Sequence, residues 1–309
     1  MIPIQTNRLD LAAKILPQDI KSALYSLSAA RRNTLTEIRL RLGKAPAARD
    51  RAEEFSLCGA DKIKVGREHI DAVILRAFRN SIHSHKREMC QGYITIEGGS
   101  RVGFCGTAAL NPENNFCIEN IKDISSVNIR IAHEIKGCGA EIYGKYFSQK
   151  PVSMLIAGPP SCGKTTILRD LTRLAGNSRR VSLIDERCEI AAACKGFPQN
   201  DVGVMTDVFD GYGKYDGIMT AVKVMSPEVI VCDEIGADED FNALVYALNS
   251  GVKIIATCHC ENSDELIKKP VISKLIDYGA FDIALMLGDR QNLGQVTAVK
   301  KFGRELCLN

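Results

Sequence analysis

Hydrophobic and polar positions along the chain change their period near residue 145. Before that point short helical and alternating patterns mix. "LDLAAKIL" and "DIKSALYSL" place apolar residues at helical spacing on either side of Pro17. In "TEIRLRLG", Ile38, Leu40 and Leu42 alternate with Glu37, Arg39 and Arg41, which predicts a half-buried strand with a charged outer face. A polar stretch over 43–68 leads to "HIDAVILRAFRNSI", an amphipathic helix. "GYITIEGGSRVGFCGTAAL" reads as two strands folded about Gly98 and Gly99, "NPENN" as a turn, and "SSVNIRIAHEI" as a further alternating strand ending before Gly137 and Gly139. Residues 1–145 are therefore expected to form a smaller N-terminal α+β domain.

From 146 to 309 apolar strand-like runs of five to seven residues alternate with helical patterns. "VSMLIAG", "VSLIDE", "EVIVCDE" and "VKIIATC" are the runs; helices are expected from Lys164 and across 215–225, 239–249 and 264–276. "FDIALML" and "QVTAVKKF" add strands at the end. Buried strands alternating with helices predict an α/β fold, a largely parallel sheet covered on both faces.

Composition narrows the class. A chain of 309 residues is long for one domain and can bury a sizeable core. A formal net charge of +3 announces neither a nucleic-acid nor a membrane partner. No run approaches the roughly 20 apolar residues of a membrane span, and "MIPIQTNRLDLAAKIL" lacks a signal-peptide core, so a cytoplasmic location is expected. The 12 cysteines are scattered, some through apparent core strands (Cys105, Cys232, Cys258), without a C-x-x-C pair, and read as buried thiols of a reducing compartment.

The chemistry lies in "IAGPPSCGKTTILRD". Gly158, Gly163, Lys164 and Thr165 fit G-x-x-x-x-G-K-[ST] between an apolar strand and a helix. Backbone N–H groups of Gly158, Ser161, Cys162 and Gly163 would close around phosphates, with Pro159 and Pro160, which have no N–H, shaping the loop. Lys164 would reach the β and γ phosphates, Thr165 a Mg²⁺ ion, and Thr166 continues the helix N-terminus. "VIVCDEIG" ends in Asp233, suited to orient the Mg²⁺ water shell, and Glu234, suited to polarise an attacking water. "VSLIDERCEI" ends likewise in Asp185 and Glu186. So many acids beside one phosphate repel one another unless a divalent cation holds them. Thr257 and His259 reach the same edge, where His259 reads as a γ-phosphate sensor or water-positioning residue, with a structural histidine the alternative; Cys258, His259 and Cys260 alternate faces on a strand and make a poor zinc site.

With "EIRLRLGK", "GGSRVGFCG", "ISSVNIRIAHEIKGC", "PPSCGKTTILRDL", "LIDERCEI", "PQNDVGVMTDVFDG", "MSPEVIVCDEIG" and "ATCHC" in that order, nearly the whole chain resembles the stage III sporulation protein AA family, relatives of the type II secretion and type IV pilus ATPases. The resemblance implies a RecA-like ATPase domain using ATP and Mg²⁺. It places Asp185 and Glu186 in an aspartate box, Glu234 as the Walker B glutamate and His259 in a His box. It also implies a homo-oligomer, a hexameric ring whose N-terminal domain donates arginines, with Arg101 and Arg130 the candidates by position and Arg39 and Arg41 weaker ones. The partners would be a membrane-embedded sporulation or secretion apparatus, reached peripherally. Where the family pattern has arginine, this chain has Met205 before "TDVFD" and Lys223 before "MSPEV"; lysine keeps the charge but loses the planar fork, and methionine loses both. Two other readings compete with a mechanoenzyme. A RecA-like nucleic-acid motor should carry a basic stripe with interleaved aromatics, and aromatics are scarce here with Trp absent. A nucleotide-gated scaffold with little hydrolysis draws support from Met205 and Lys223.

Overall fold

The computed structural model describes residues 7–58, 62–79, 86–111, 117–289 and 292–302. The chain divides into two compact units, Met1–His133 and Glu134–Asn309. The division precedes residue 145 because helix Ala140–Tyr146 belongs to the second unit: Ile142 and Phe147 enter its core, and the Gly139 N–H donates to the buried Asp170 carboxylate at 2.8 Å.

In the first unit β1 (Glu37–Arg41), β2 (Ala47–Arg49), β3 (Glu54–Ser56), β4 (Tyr93–Thr95), β5 (Arg101–Asn111) and β6 (Cys117–Arg130) form an antiparallel sheet in the order β3-β2-β1-β6-β5-β4. Ile38, Leu40, Val102 and Ile129 cover one face and are wholly buried with Ile20 of helix Gln18–Tyr25 and Val73 of helix Arg67–Ala77. The alternation read in β1 holds as far as Arg41. Leu42 lies beyond the strand, next to Gly43 at φ 75°, and is 40% exposed rather than part of the buried face. The polar stretch after it supplies β2 and β3, short strands whose pattern is too brief to read as a period. "SSVNIRIAHEI" is the end of the much longer β6, which stops at Arg130 instead of running to Ile135. The turn read over 111–115 lies, from 112 on, outside the described residues, as do 80–82 of the predicted helix.

The other face of this sheet carries the charges. Arg39 contacts Glu37 at 2.7 Å and Arg41 contacts Glu54 at 2.7 Å, so β1 and β3 form a charge ladder. The Arg41 hydrogen bond holds the Glu54 carboxyl below its usual range. Arg101 and Arg130 are direct cross-strand partners, with Glu37 opposite Arg130 on the far side. The Arg101 guanidinium also stacks 4.3 Å from the centroid of the Tyr93 ring.

The second unit contains β7 (Met154–Gly158), β8 (Val181–Asp185), β9 (Thr206–Asp210), β10 (Val229–Cys232), β11 (Lys253–His259), β12 (Ile283–Leu287) and β13 (Val296–Lys301), ordered β13-β12-β7-β11-β10-β8-β9. All neighbours are parallel except β12 and β13. β7, β8, β10 and β12 are buried along their whole length, as apolar runs covered on both faces require. One face packs on helices Lys214–Val224, Asp238–Asn249 and Pro270–Asp277, the other on helix Lys164–Gly176.

The helix expected across 264–276 is two, Ser263–Lys268 and Pro270–Asp277. Pro270 has no N–H to continue the first and forces Lys269 into extended backbone, φ −73° and ψ 118°. Cys58, Cys90, Cys105, Cys138, Cys162, Cys188, Cys194, Cys232, Cys258 and Cys260 are free thiols. Cys232 is buried, and burial lifts its pKa to about 12; Cys105, by contrast, is exposed on β5, where its thiol meets the Ser126 hydroxyl at 2.9 Å. No helix among the described residues is long and apolar enough to cross a membrane.

Candidate functional site

Parallel β7, β11 and β10 lie side by side and deliver their C-terminal ends to one edge of the sheet. Gly158 ends β7 directly opposite His259 at the end of β11, and Asp233 follows the last residue of β10. Between Gly158 and the helix starting at Lys164 the chain turns tightly, with Ser161 at φ 62° and Gly163 at φ 101°. A Cβ on Gly158 would stand 2.9 Å from the Cys162 sulfur, so the loop closes only over glycine there. Ser161, Gly163, Lys164, Thr165, Thr166, Asp233, Glu234, Thr257 and His259 line one cavity of about 400 Å³.

The charges in this cavity are linked in sequence. Lys164, 6% exposed, donates to the carbonyls of Gly158 at 2.9 Å and Pro159 at 2.7 Å, and to His259 Nδ1 at 3.1 Å. An ammonium only donates, so Nδ1 of His259 is the acceptor and the ring proton sits on Nε2. That nitrogen lies 3.4 Å from Glu234 Oε1. Asp233 accepts from the Thr165 hydroxyl at 3.4 Å and from the Thr257 hydroxyl, and Thr257 Oγ1 in turn receives the Glu234 N–H at 2.8 Å. Glu234 is thereby held at φ 46°, a left-handed conformation unusual for a glutamate. The Thr165 hydroxyl and Asp233 carboxylate are adjacent hard oxygen donors, a set that fits Mg²⁺ retaining most of its waters.

Asp185 and Glu186 point elsewhere. The Asp185 carboxylate is 1% exposed and receives the backbone N–H groups of Glu189 at 2.9 Å, Ile190 at 3.0 Å and Ala191 at 2.8 Å. Burial pushes its pKa up, against the opposing effect of those donors. It shapes the 188–191 loop and does not line the cavity, so the cluster of acids expected around one phosphate does not include it. Glu186 is paired with Lys214 at 2.6 Å. Burial acts to lower the Lys214 pKa and is outweighed by this hydrogen bond together with the nearby charges of Asp240 and Glu186, leaving it raised.

The loop that Asp185 shapes brings in two residues the sequence did not mark, Arg187 and Glu189, both lining the cavity. Arg187 Nη1 is 2.5 Å from Glu234 Oε2. Leu293 is a third, on the connection between β12 and β13, where the Gly294 N–H donates to the Cys162 carbonyl at 2.9 Å and fastens that connection to the loop. A charged residue just past an acid-tipped strand was a readable signal for Arg187; nothing local marks Leu293. Cys258 and Cys260 are buried in the core while His259 is at the cavity, so the three side chains diverge. Met205 hydrogen-bonds beside Val181 at the N-terminal end of β8, and Lys223 is in the last turn of its helix; neither lines the cavity. Arg101 and Arg130 lie on the sheet of the first unit.

A parallel sheet with a glycine loop opening a helix at its carboxyl edge, preceded by an antiparallel domain, defines the α/β fold of the secretion ATPases. The X-ray structure of the Legionella pneumophila ATPase DotB matches with a TM-score of 0.58 at 13% identity, over 92% of this chain and 77% of that one. The pilus retraction motor PilT with bound ADP matches with a TM-score of 0.58 at 13% identity, over 85% and 77%. At this identity the likeness is one of fold. Family membership comes from sequence: the profile described as sporulation stage III, protein AA matches residues 6–304, and the chain belongs to that family. The stage III sporulation protein AA of Bacillus subtilis (strain 168) is 33% identical over 293 residues, 93% of each chain. A further relative, the uncharacterized protein ycf45 of Cyanidium caldarium, is 27% identical over 195 residues, 62% of this chain and 57% of its own.

Proposed function

We propose that the chain binds ATP with Mg²⁺ at the 158–166 loop, hydrolyses it, and works as a homo-oligomeric mechanoenzyme of a membrane-associated sporulation apparatus. The observation that carries the reading is the convergence of Lys164, Thr165, Asp233, Glu234 and His259 on one cavity from the ends of adjacent strands. In this reading the loop N–H groups and Lys164 hold the phosphates, with Lys164 giving up its present carbonyl partners. Thr165 and Asp233 would hold Mg²⁺, which when bound offsets charge on the phosphate oxygens. Glu234, positioned by Thr257 and His259, takes the proton of the attacking water. The family and the fold of DotB and PilT support a mechanical role and docking on partner proteins. A hexameric ring is the assembly that the resemblance favours.

Nucleotide binding by the full chain tests the first step. Lys164→Ala removes the buried cation and is expected to weaken ATP and ADP alike by tenfold or more, as a charge-assisted contact of about 1.5–3 kcal/mol implies. Equal affinities for the variant and the wild type would place the nucleotide elsewhere.

A further inference from the structure

Both oxygens of Glu234 are engaged by groups that line the cavity: Oε1 faces His259 Nε2 at 3.4 Å, and Oε2 meets Arg187 Nη1 at 2.5 Å. With a guanidinium on Oε2, the carboxylate is a poor acceptor for a water proton. The backbone beneath Arg187 is firm, because the Asp185 carboxylate collects the N–H groups of residues 189 to 191. The side chain itself is not: Arg187 is 60% exposed and Glu234 31%, and an ion pair open to water is a weak tether. Arg187 is thus a cation in the same cavity as Lys164 and Thr165, joined to Glu234 by a pair open to water and covering the group that the hydrolysis reading needs free.

We propose that Arg187 exchanges partners when a nucleoside triphosphate enters, leaving Glu234 for the terminal phosphate, and so is the residue in this chain that distinguishes a triphosphate from a diphosphate. The inference rests on the ATP reading given above and deepens it. A terminal phosphate carries more charge than a carboxylate and accepts the planar guanidinium fork through two oxygens, so it wins the exchange. A diphosphate lacks that group and leaves the Arg187–Glu234 pair closed. Release of Glu234 then coincides with arrival of the bond to be cleaved. The water oxygen bonds to the γ phosphorus and one water proton passes to Glu234. The bond from that phosphorus to the β,γ-bridging oxygen breaks, ADP leaving with the electron pair. Arg187 offsets the charge on the transferred group from within the same chain, where arginines of this kind have large effects on rate.

The test compares two ligands in Mg²⁺ buffer, ADP and the hydrolysis-resistant β,γ-imido analogue of ATP, titrated against the full chain. Arg187→Ala is expected to weaken the imido analogue by about tenfold or more while ADP affinity stays within about twofold. Arg187→Lys, which keeps charge but not the fork, should fall between. Glu234→Gln should tighten the imido analogue when Arg187 is present and leave it unchanged in the Arg187→Ala background, because the competing carboxylate matters only to that arginine. With ATP itself, kcat of Arg187→Ala should drop about a hundredfold. Equal weakening of both ligands would mark Arg187 as a support of the loop, and no weakening of either would remove it from the site; each overturns the inference while the ATP reading stands. If the wild type binds neither ligand, the ATP reading falls and the inference with it.

Discussion

Glu234→Gln is expected to lower ATP turnover by about a thousandfold while nucleotide binding persists, because the amide keeps the shape of the side chain and loses the base. The choice of Glu234 among the acids is geometric. Asp233 is tied to the hydroxyls of Thr165 and Thr257, and Asp185 and Glu186, held by backbone N–H groups and by Lys214, do not line the cavity. Glu234 lines the cavity in a left-handed backbone conformation fixed by Thr257 and faces the protonated nitrogen of His259. Glu186→Gln provides the contrast. Its carboxylate is 43% exposed, and loss of the Lys214 pair should change stability by no more than about 1 kcal/mol with turnover largely kept. Single-turnover phosphate release on both variants separates them, and full activity in Glu234→Gln would move the base to another residue.

Asp185→Ala is expected to destabilise the second unit by about 3 kcal/mol or more, since it removes the acceptor shared by the N–H donors of Glu189, Ile190 and Ala191, and the last two residues are buried. Cys188 at φ 53° and Ala192 at φ 48° bracket this loop, so its conformation is costly without the carboxylate. Nucleotide affinity should fall with it, as Arg187 and Glu189 lose their anchor. The pH dependence has a definite sign. Burial raises the Asp185 pKa above its usual 3.8, so the folded chain holds that proton more firmly than the unfolded chain. The stability that this retained proton adds is fully present below about 3.8 and is lost as pH rises through the folded value, whereas the carboxylate's acceptance of the loop N–H groups does not depend on it. Urea unfolding across the acid range should show this slope in the wild type and lose it in Asp185→Asn. A variant as stable as the wild type would mean the loop holds itself.

What could be read from the sequence divides along the range of the interactions involved. β7, β10 and β11 are continuous apolar runs, and Gly158, Gly163, Lys164, Thr165 and Asp233 follow them at fixed offsets, so local pattern was enough to assemble the loop side of the cavity. β9 was missed as a strand because Thr206–Asp210 carries aspartates at Asp207 and Asp210 and is an edge, buried fully only at Phe209. Asp185 looked like a second phosphate-facing acid because a strand ending in a carboxylate has the same sequence whether that group meets solvent, ligand or its own backbone. Only the fold of 188–191 decides between them, and the same fold carries Arg187 and Glu189 inward. Leu293 reaches the rim through a hydrogen bond between Gly294 and Cys162, residues far apart in the chain, and no local pattern encodes that.

The most direct measurement is phosphate release from ATP by the purified full chain, in Mg²⁺, across a range of protein concentrations, with Lys164→Ala as the blank. Hydrolysis at this cavity within an oligomer predicts release above the blank and a specific activity that climbs with concentration as chains assemble. Release indistinguishable from the blank at every concentration would contradict an ATP-driven machine and leave a nucleotide-gated scaffold.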